Sequence, residues 1–205
     1  MNENGRDTLF EAIAGDLFSN GYSVQARRLT SGFLAQLSMR LELTSSVLFA
    51  NAGVGRGDDH AIDKSVRTDR TSWITGSTDG EKEWLKWASS LQDYLNRRLF
   101  LGLSSFESHF SYYGKDGFYA KHKDSFRGKS NRVLSIVVYL NKDWMAGDGG
   151  ELLIYGHHSE EIIMSVEPVL GTVVIFFSED VYHEVLASKK SRFSIAGWFR
   201  SGPCW

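Results

Sequence analysis

Two hydrophobic rhythms divide the chain. In the first half Phe10, Ile13, Leu17 and Phe18 recur at helical spacing, and Asn20-Gly21 stops that segment. A strand-like YSVQ follows, after which Thr30 or Ser31 can cap a second helix carrying Phe33, Leu34, Leu37 and Leu41. A third helix is predicted over roughly 80–100, where Trp84, Leu85, Trp87, Leu91, Tyr94, Leu95 and Leu99 line one broad stripe. That stripe reads as core packing. Between the second and third helices, residues 50–72 are rich in Gly, Asp and Arg and carry no apolar period. A loop of this length inside a compact domain is functional or disordered, and here it is expected to be mobile.

Beyond residue 104 the period shortens to two. FESHFSYY, GFYAKHKD, VLSIVVYL, ELLIY, EIIMSV, TVVIFF, YHEVLA and RFSIAGWF are each bounded by turn-forming residues. Short strands at such regular spacing predict a sandwich or a jelly-roll barrel. No low-complexity linker or repeat divides the chain. The expectation is one domain over 1–205, with helical support and the loop in 1–104 and the β core in 105–200.

Bulk composition narrows the partners. The chain has 205 residues and a net charge of −2, so no global field favours nucleic acid or an anionic membrane. Cys204 is the single cysteine, which suits a reducing compartment. The N-terminus lacks a basic start followed by an apolar run, and no stretch approaches the ~18 apolar residues of a membrane span. A cytoplasmic location is expected.

The chemistry concentrates in three places. In YAKHKDSF, His122 and Asp124 leave the same face of an extended strand, as two metal ligands or a base and its orienting acid would. Lys121 and Lys123 then take the opposite face, and Tyr119 is assigned to packing there. The same triplet also fits a solvated strand edge. His183 opens a later strand directly after the acidic turn SEDVY, and Arg192 follows nine residues on. Two histidines and one carboxylate with open positions suit non-haem Fe(II). Pairing His183 with Glu184 is disfavoured, because neighbours on a strand diverge. Arg192 lies in an apolar strand, where a guanidinium is costly unless it meets an anion. Either a bound carboxylate or a structural pair with Glu151 or Asp69 would satisfy it. Tyr139, inside SIVVYLN, also needs a hydrogen-bond partner.

These blocks resemble the 2-oxoglutarate- and Fe(II)-dependent dioxygenases, and within them the prolyl 4-hydroxylases of the hypoxia-sensor type. The resemblance rests on YYGKDGFYAKHKD, NRVLSIVVYLNKDW, GDGGELLIY, VEPVLGTVVIFFSEDVYHEV and SRFSIAGWF, with RTDRTSWITG at 67–76 extending it. It implies a double-stranded β-helix (jelly-roll, cupin-like) core in an α+β, mostly β chain with supporting N-terminal helices. It further implies that His122, Asp124 and His183 hold Fe(II). By the same resemblance Arg192 and Tyr139 grip the distal carboxylate of 2-oxoglutarate, Tyr112 lines that pocket, and Leu152 and Trp198 flank the metal. Ile136, Val138, Val174 and Ile195 would keep water away. Arg132 and Asp69 would tie the loop to the barrel.

The implied activity is hydroxylation of a prolyl residue, consuming O2 and 2-oxoglutarate, releasing succinate and CO2, with ascorbate as reductant and a role in oxygen sensing. Asp124 separates the chain from halogenating relatives, which lack that carboxylate. Trp198 stands where nucleic-acid demethylases carry a second arginine. The substrate loop would use Arg56, Asp58, Arg67, Asp69 and Arg132. A compact, bacterial-type, monomeric member fits a protein target with an exposed prolyl loop, such as the translation elongation factor Tu. Alternatives are another amino-acid residue, free proline, or a non-catalytic binding barrel in which H-x-D is accidental.

Overall fold

The computed structural model describes residues 3–30, 32–37, 49–52, 63, 65–125, 131–156 and 159–202. Helix α1 (Glu3–Asn20) leads into β1 (Tyr22–Gln25), a helical stretch over 32–37, β2 (Ala50–Asn51) and β3 (Arg70–Trp73). Helix α2 (Asp79–Leu99) is followed by β4 (Leu103–Tyr113), β5 (Tyr119–His122), β6 (Arg132–Tyr139) and β7 (Leu152–Tyr155). Then come β8 (Ile162–Val166), β9 (Val173–Phe177), β10 (His183–Val185) and β11 (Arg192–Ser201). No described helix is long and apolar enough to cross a membrane.

Helix α2 starts where the sequence provides a capping box. Thr78 is extended and its hydroxyl accepts from the Glu81 amide at 3.2 Å, while Glu81 Oε2 accepts from the Gly76 and Ser77 amides at 2.9 Å each. Its buried stripe of Trp84, Trp87, Ala88, Leu91 and Leu95 packs with Leu9, Phe10, Ile13, Ala14 and Leu17 of α1. Phe18, counted into that first stripe by its spacing, is 84% exposed. It lies one helical step past Leu17, off the buried arc. Leu41 of the second predicted helix lies outside the described residues.

The strands form two antiparallel sheets, as a double-stranded β-helix requires. One has seven strands in the order β1-β9-β6-β11-β4-β3-β2, the other four in the order β5-β10-β7-β8. Strands β6, β9 and β11 alternate strictly. Leu134, Ile136, Val138, Val173, Ile175, Ile195 and Phe199 face the helices, whereas Tyr139, Val174 and Phe176 face the second sheet. The seven-stranded sheet is therefore a partition, with a helix-backed core on one side and a smaller apolar chamber on the other. Residues 50–72, expected as structureless loop, contribute β2 and β3 to the sheet edge.

Candidate metal centre and anion pocket

Strands β5 and β10 are distant in sequence but paired in the four-stranded sheet, and their register sets His122 directly opposite His183. Asp124 lies in the bend just past β5, so the strand ends at His122 and does not carry both ligands as the triplet suggested. The carboxylate still reaches the pair: Oδ1 lies 3.5 Å from His122 Nε2 and 3.9 Å from His183 Nε2. One ligand atom from each of the three residues falls within 4.8 Å of the others.

Each candidate ligand is braced from behind. His122 Nδ1 meets the Ala120 carbonyl at 2.7 Å, and His183 Nδ1 meets the Val181 carbonyl at 3.2 Å. Donation to those carbonyls fixes the tautomer that leaves both Nε2 atoms free for a metal. The Trp198 indole donates to Asp124 Oδ2 at 3.0 Å, leaving Oδ1 toward the histidines. Burial would raise the Asp124 pKa, but the neighbouring His183 and His122 rings and Ser135 outweigh it and hold the carboxyl well below its usual range. Burial first, and His122 second, push His183 down to about 4, so its imidazole is neutral at pH 7 and ready to ligate. The donor set and its bracing fit a divalent metal of the Fe(II) type.

Beside this cluster, on β11 and β6 of the opposite sheet, lies an unmatched cation. Arg192 is 1% exposed, and among the described residues no carboxylate lies within ion-pair reach of it. Asp69 is engaged by Arg67 instead, and Glu151 makes no pair with Arg192. Its guanidinium carbon lies 5.0 Å from the ring centroids of both Tyr113 and Tyr139. Among the described residues, Arg192 Nε and Tyr139 Oη are buried without hydrogen-bond partners. Burial raises the Tyr139 pKa against the pull of Arg192, so the phenol stays protonated and able to donate. Gly150 opens this corner: its φ is +72°, and a Cβ there would lie 3.2 Å from Arg192 Cδ and 2.9 Å from Ser188 Cβ. The result is a buried corner that offers a fixed positive charge and a hydroxyl donor, the groups a carboxylate requires.

The chamber wall departs from the expected set. Val174 and Leu152 line it together with Ile154, Phe176, Val181 and Val185. Ile136, Val138 and Ile195 do not; strand alternation turns them to the helix-backed core. Tyr112 is likewise on the far face, against Phe49 and Phe193, with its hydroxyl 3.2 Å from Ser191 Oγ. Tyr113, one residue on and directly opposite Arg192, occupies the pocket position. Asp69 and Arg132 do not pair with each other. Asp69 takes Arg67 through two 2.7 Å bonds, and Arg132 takes Glu107 at 3.0 Å while lying 3.5 Å over the Trp198 ring. Arg56 and Asp58 lie outside the described residues.

Two supporting residues escaped the sequence reading. Ser135 belongs to an outwardly apolar strand, and only the partition of faces shows that it points at Asp124. Tyr119 was assigned to the face opposite His122, yet the two rings stack at 3.6 Å. The reason is a bulge: β10 spans His183 to Val185 while β5 spans His122 to Tyr119. One extra residue reverses the alternation and brings positions i and i+3 to the same side.

Residues 108–200 match the family model of the 2OG-Fe(II) oxygenase superfamily. The chain is similar to a Pseudomonas putida prolyl-4-hydroxylase, at 33% identity and a TM-score of 0.85, over 95% of this chain and 100% of that one. It shares its fold with a Trichoplax adhaerens prolyl hydroxylase in complex with a hypoxia inducible factor peptide fragment, at 23% identity and a TM-score of 0.84, over 97% and 91% of the two chains. Human prolyl hydroxylase EGLN3 is 28% identical over 144 residues, 66% of this chain, and the match spans 59% of that protein's length.

Proposed function

We propose, for a chain that belongs to the 2OG-Fe(II) oxygenase superfamily, that this site hydroxylates a prolyl residue of a protein substrate at the 4-position. O2 and 2-oxoglutarate are consumed; succinate and CO2 are released. The observation that carries the reading is Arg192, a buried cation without a carboxylate partner among the described residues, placed beside three converging candidate metal ligands. A cosubstrate with one end on the metal and an anionic end in the recess accounts for both features at once.

His122, Asp124 and His183 would hold Fe(II), which when bound supplies the activation of O2. The chain's own groups do the positioning. Arg192 binds the distal carboxylate through its planar fork, and Tyr139 donates to the same group. Tyr113 closes the recess against solvent. Leu152, Val174 and Phe176 keep water from the reacting centre, and Trp198 holds Asp124 so that one oxygen faces the metal.

The substrate we favour is an exposed prolyl loop of a folded protein in the cytoplasm, with a translation elongation factor such as elongation factor Tu as the first candidate. The enzyme is taken to act as a monomer, with ascorbate as a supporting reductant. The likeness to prolyl hydroxylases, one of them in complex with a peptide fragment, supports a protein target.

The test is turnover with Fe(II), 2-oxoglutarate and a prolyl protein substrate, following succinate and the gain of one oxygen atom on proline by mass spectrometry. Replacement of His122 by Ala is expected to abolish both. Unchanged turnover in that variant would sink the metal assignment. Oxygen found on another residue type, or on free proline only, would sink the prolyl-protein assignment.

A further inference from the structure

We infer that Arg67 is a positioning residue for the metal ligand His122, acting through Tyr119; this rests on the metal-site reading above. The bulge in β5 lays the Tyr119 ring flat on the His122 imidazole, 3.6 Å away and 18° from parallel. With one face covered, the tyrosine ring offers only the other to a partner. There the Arg67 guanidinium sits, 4.3 Å from the ring centroid. The order is a three-layer stack of guanidinium, phenol and imidazole.

The outer layer is itself immobilised. Asp69, 2% exposed, grips Arg67 through two parallel bonds of 2.7 Å, Nε to Oδ1 and Nη2 to Oδ2. The backbone follows the same line. Arg67 forms an antiparallel bridge with Tyr119, the Thr68 amide donates to the Phe118 carbonyl at 3.1 Å, and the Ala120 amide donates to the Val66 carbonyl at 2.8 Å. The Ala120 carbonyl is the group that receives His122 Nδ1. Both restraints on the imidazole therefore trace to adjacent residues: its plane to Arg67 through Tyr119, its tautomer to Val66 through Ala120.

Charge gives Asp69 a distinct share. A lone guanidinium stacked toward a ligand would repel the divalent ion that the ligand must accept. Paired with Asp69, the same group keeps its planar contact while its field at the metal is largely cancelled. Arg67 and Asp69, read from the sequence as substrate-loop residues, thereby become part of the metal site's support.

Mn(II) binding, measured by calorimetry on the intact chain without 2-oxoglutarate or substrate, tests this. Arg67→Ala and Tyr119→Leu are expected to weaken Mn(II) binding by about 10-fold or more, the usual scale for loss of a ligand's outer support. Asp69→Asn should weaken it as well, by exposing the cation. Tyr119→Phe keeps the stack and should restore near-native affinity. The visible absorption of the Co(II)-loaded protein should change in Arg67→Ala and Tyr119→Leu and stay native in Tyr119→Phe. If Arg67→Ala fails to fold, the Tyr119→Leu and Tyr119→Phe pair decides, since both leave the Arg67–Asp69 bonds in place. Native affinity and a native Co(II) spectrum in Tyr119→Leu would overturn the inference. Failure of the unsubstituted chain to bind Mn(II) would overturn the metal-site reading itself, and the positioning role with it.

Discussion

Arg192 shows how one residue can be read from two directions. In sequence it is a charge inside RFSIAGWF; in the fold it is a buried guanidinium whose Nε finds no acceptor among the described residues. Such a group destabilises the unliganded protein and rewards the anion that matches it. Arg192→Met is therefore expected to raise the stability of the free protein, by about 1–4 kcal/mol on the scale of buried charges replaced by apolar groups. The same change should weaken 2-oxoglutarate by roughly 2–5 kcal/mol, the cost of losing one member of a buried charge pair. Urea unfolding with and without the cosubstrate measures both; a variant that loses stability and keeps its affinity would refute the assignment. The candidate ligands His122, Asp124 and His183 were legible because only a few residue types bind borderline metals. Tyr113 was not, because Tyr112 and Tyr113 are chemically identical neighbours and only the sheet partner tells which faces the chamber.

At the scale of elements, helices announced themselves more clearly than strand faces. Thr78 and Glu81 provide the start of α2 locally, so the prediction of its span needed nothing from the rest of the fold. Thr78→Ala should cost about 1 kcal/mol of stability, since the Glu81 amide loses its acceptor. Thermal unfolding checks this, and metal affinity should stay native because α2 lies behind the partition. Strand β3 was missed within 50–72 because RTSW has no alternating apolar pattern; its pairing with β4 over Arg70–Trp73 supplies what periodicity lacks. The bulge in β5 was equally invisible. It depends on how the strand meets β10, and no residue in YAKH advertises it. That single irregularity decides where Tyr119 points, and with it the stack on His122.

Across the whole molecule, pH should reveal how the chamber is buried. His109, on the chamber-side face of β4 between Trp73 and Trp198, is pushed by burial down to about 4 from 6.5, with Asp69 pulling up and Arg67 and Arg132 pushing down. Its folded pKa lies below its unfolded one, so the unfolded chain binds the proton more readily. The stability that His109 contributes is full above about 6.5 and is lost as pH falls toward about 4. Urea midpoints between neutral pH and about pH 5 should fall for the native chain, and less steeply for His109→Gln; equal slopes would refute this. The mostly β architecture was legible from the change of period near residue 104, and its two-sheet jelly-roll form from the resemblance, whereas the order of strands within each sheet was not, since it depends on long-range pairing. The division into two sheets has an outcome for how the protein is made. The histidines stand on one sheet, but Trp198, which holds Asp124, and Arg192 both come from β11, the last described strand to leave a ribosome. It must slot between β6 and β4 before either group reaches the chamber. On the proposed reading, a chain grown only as far as β10 would carry both candidate imidazoles but neither Arg192 nor Trp198. The proposed site would thus be armed only once β11 has entered the sheet.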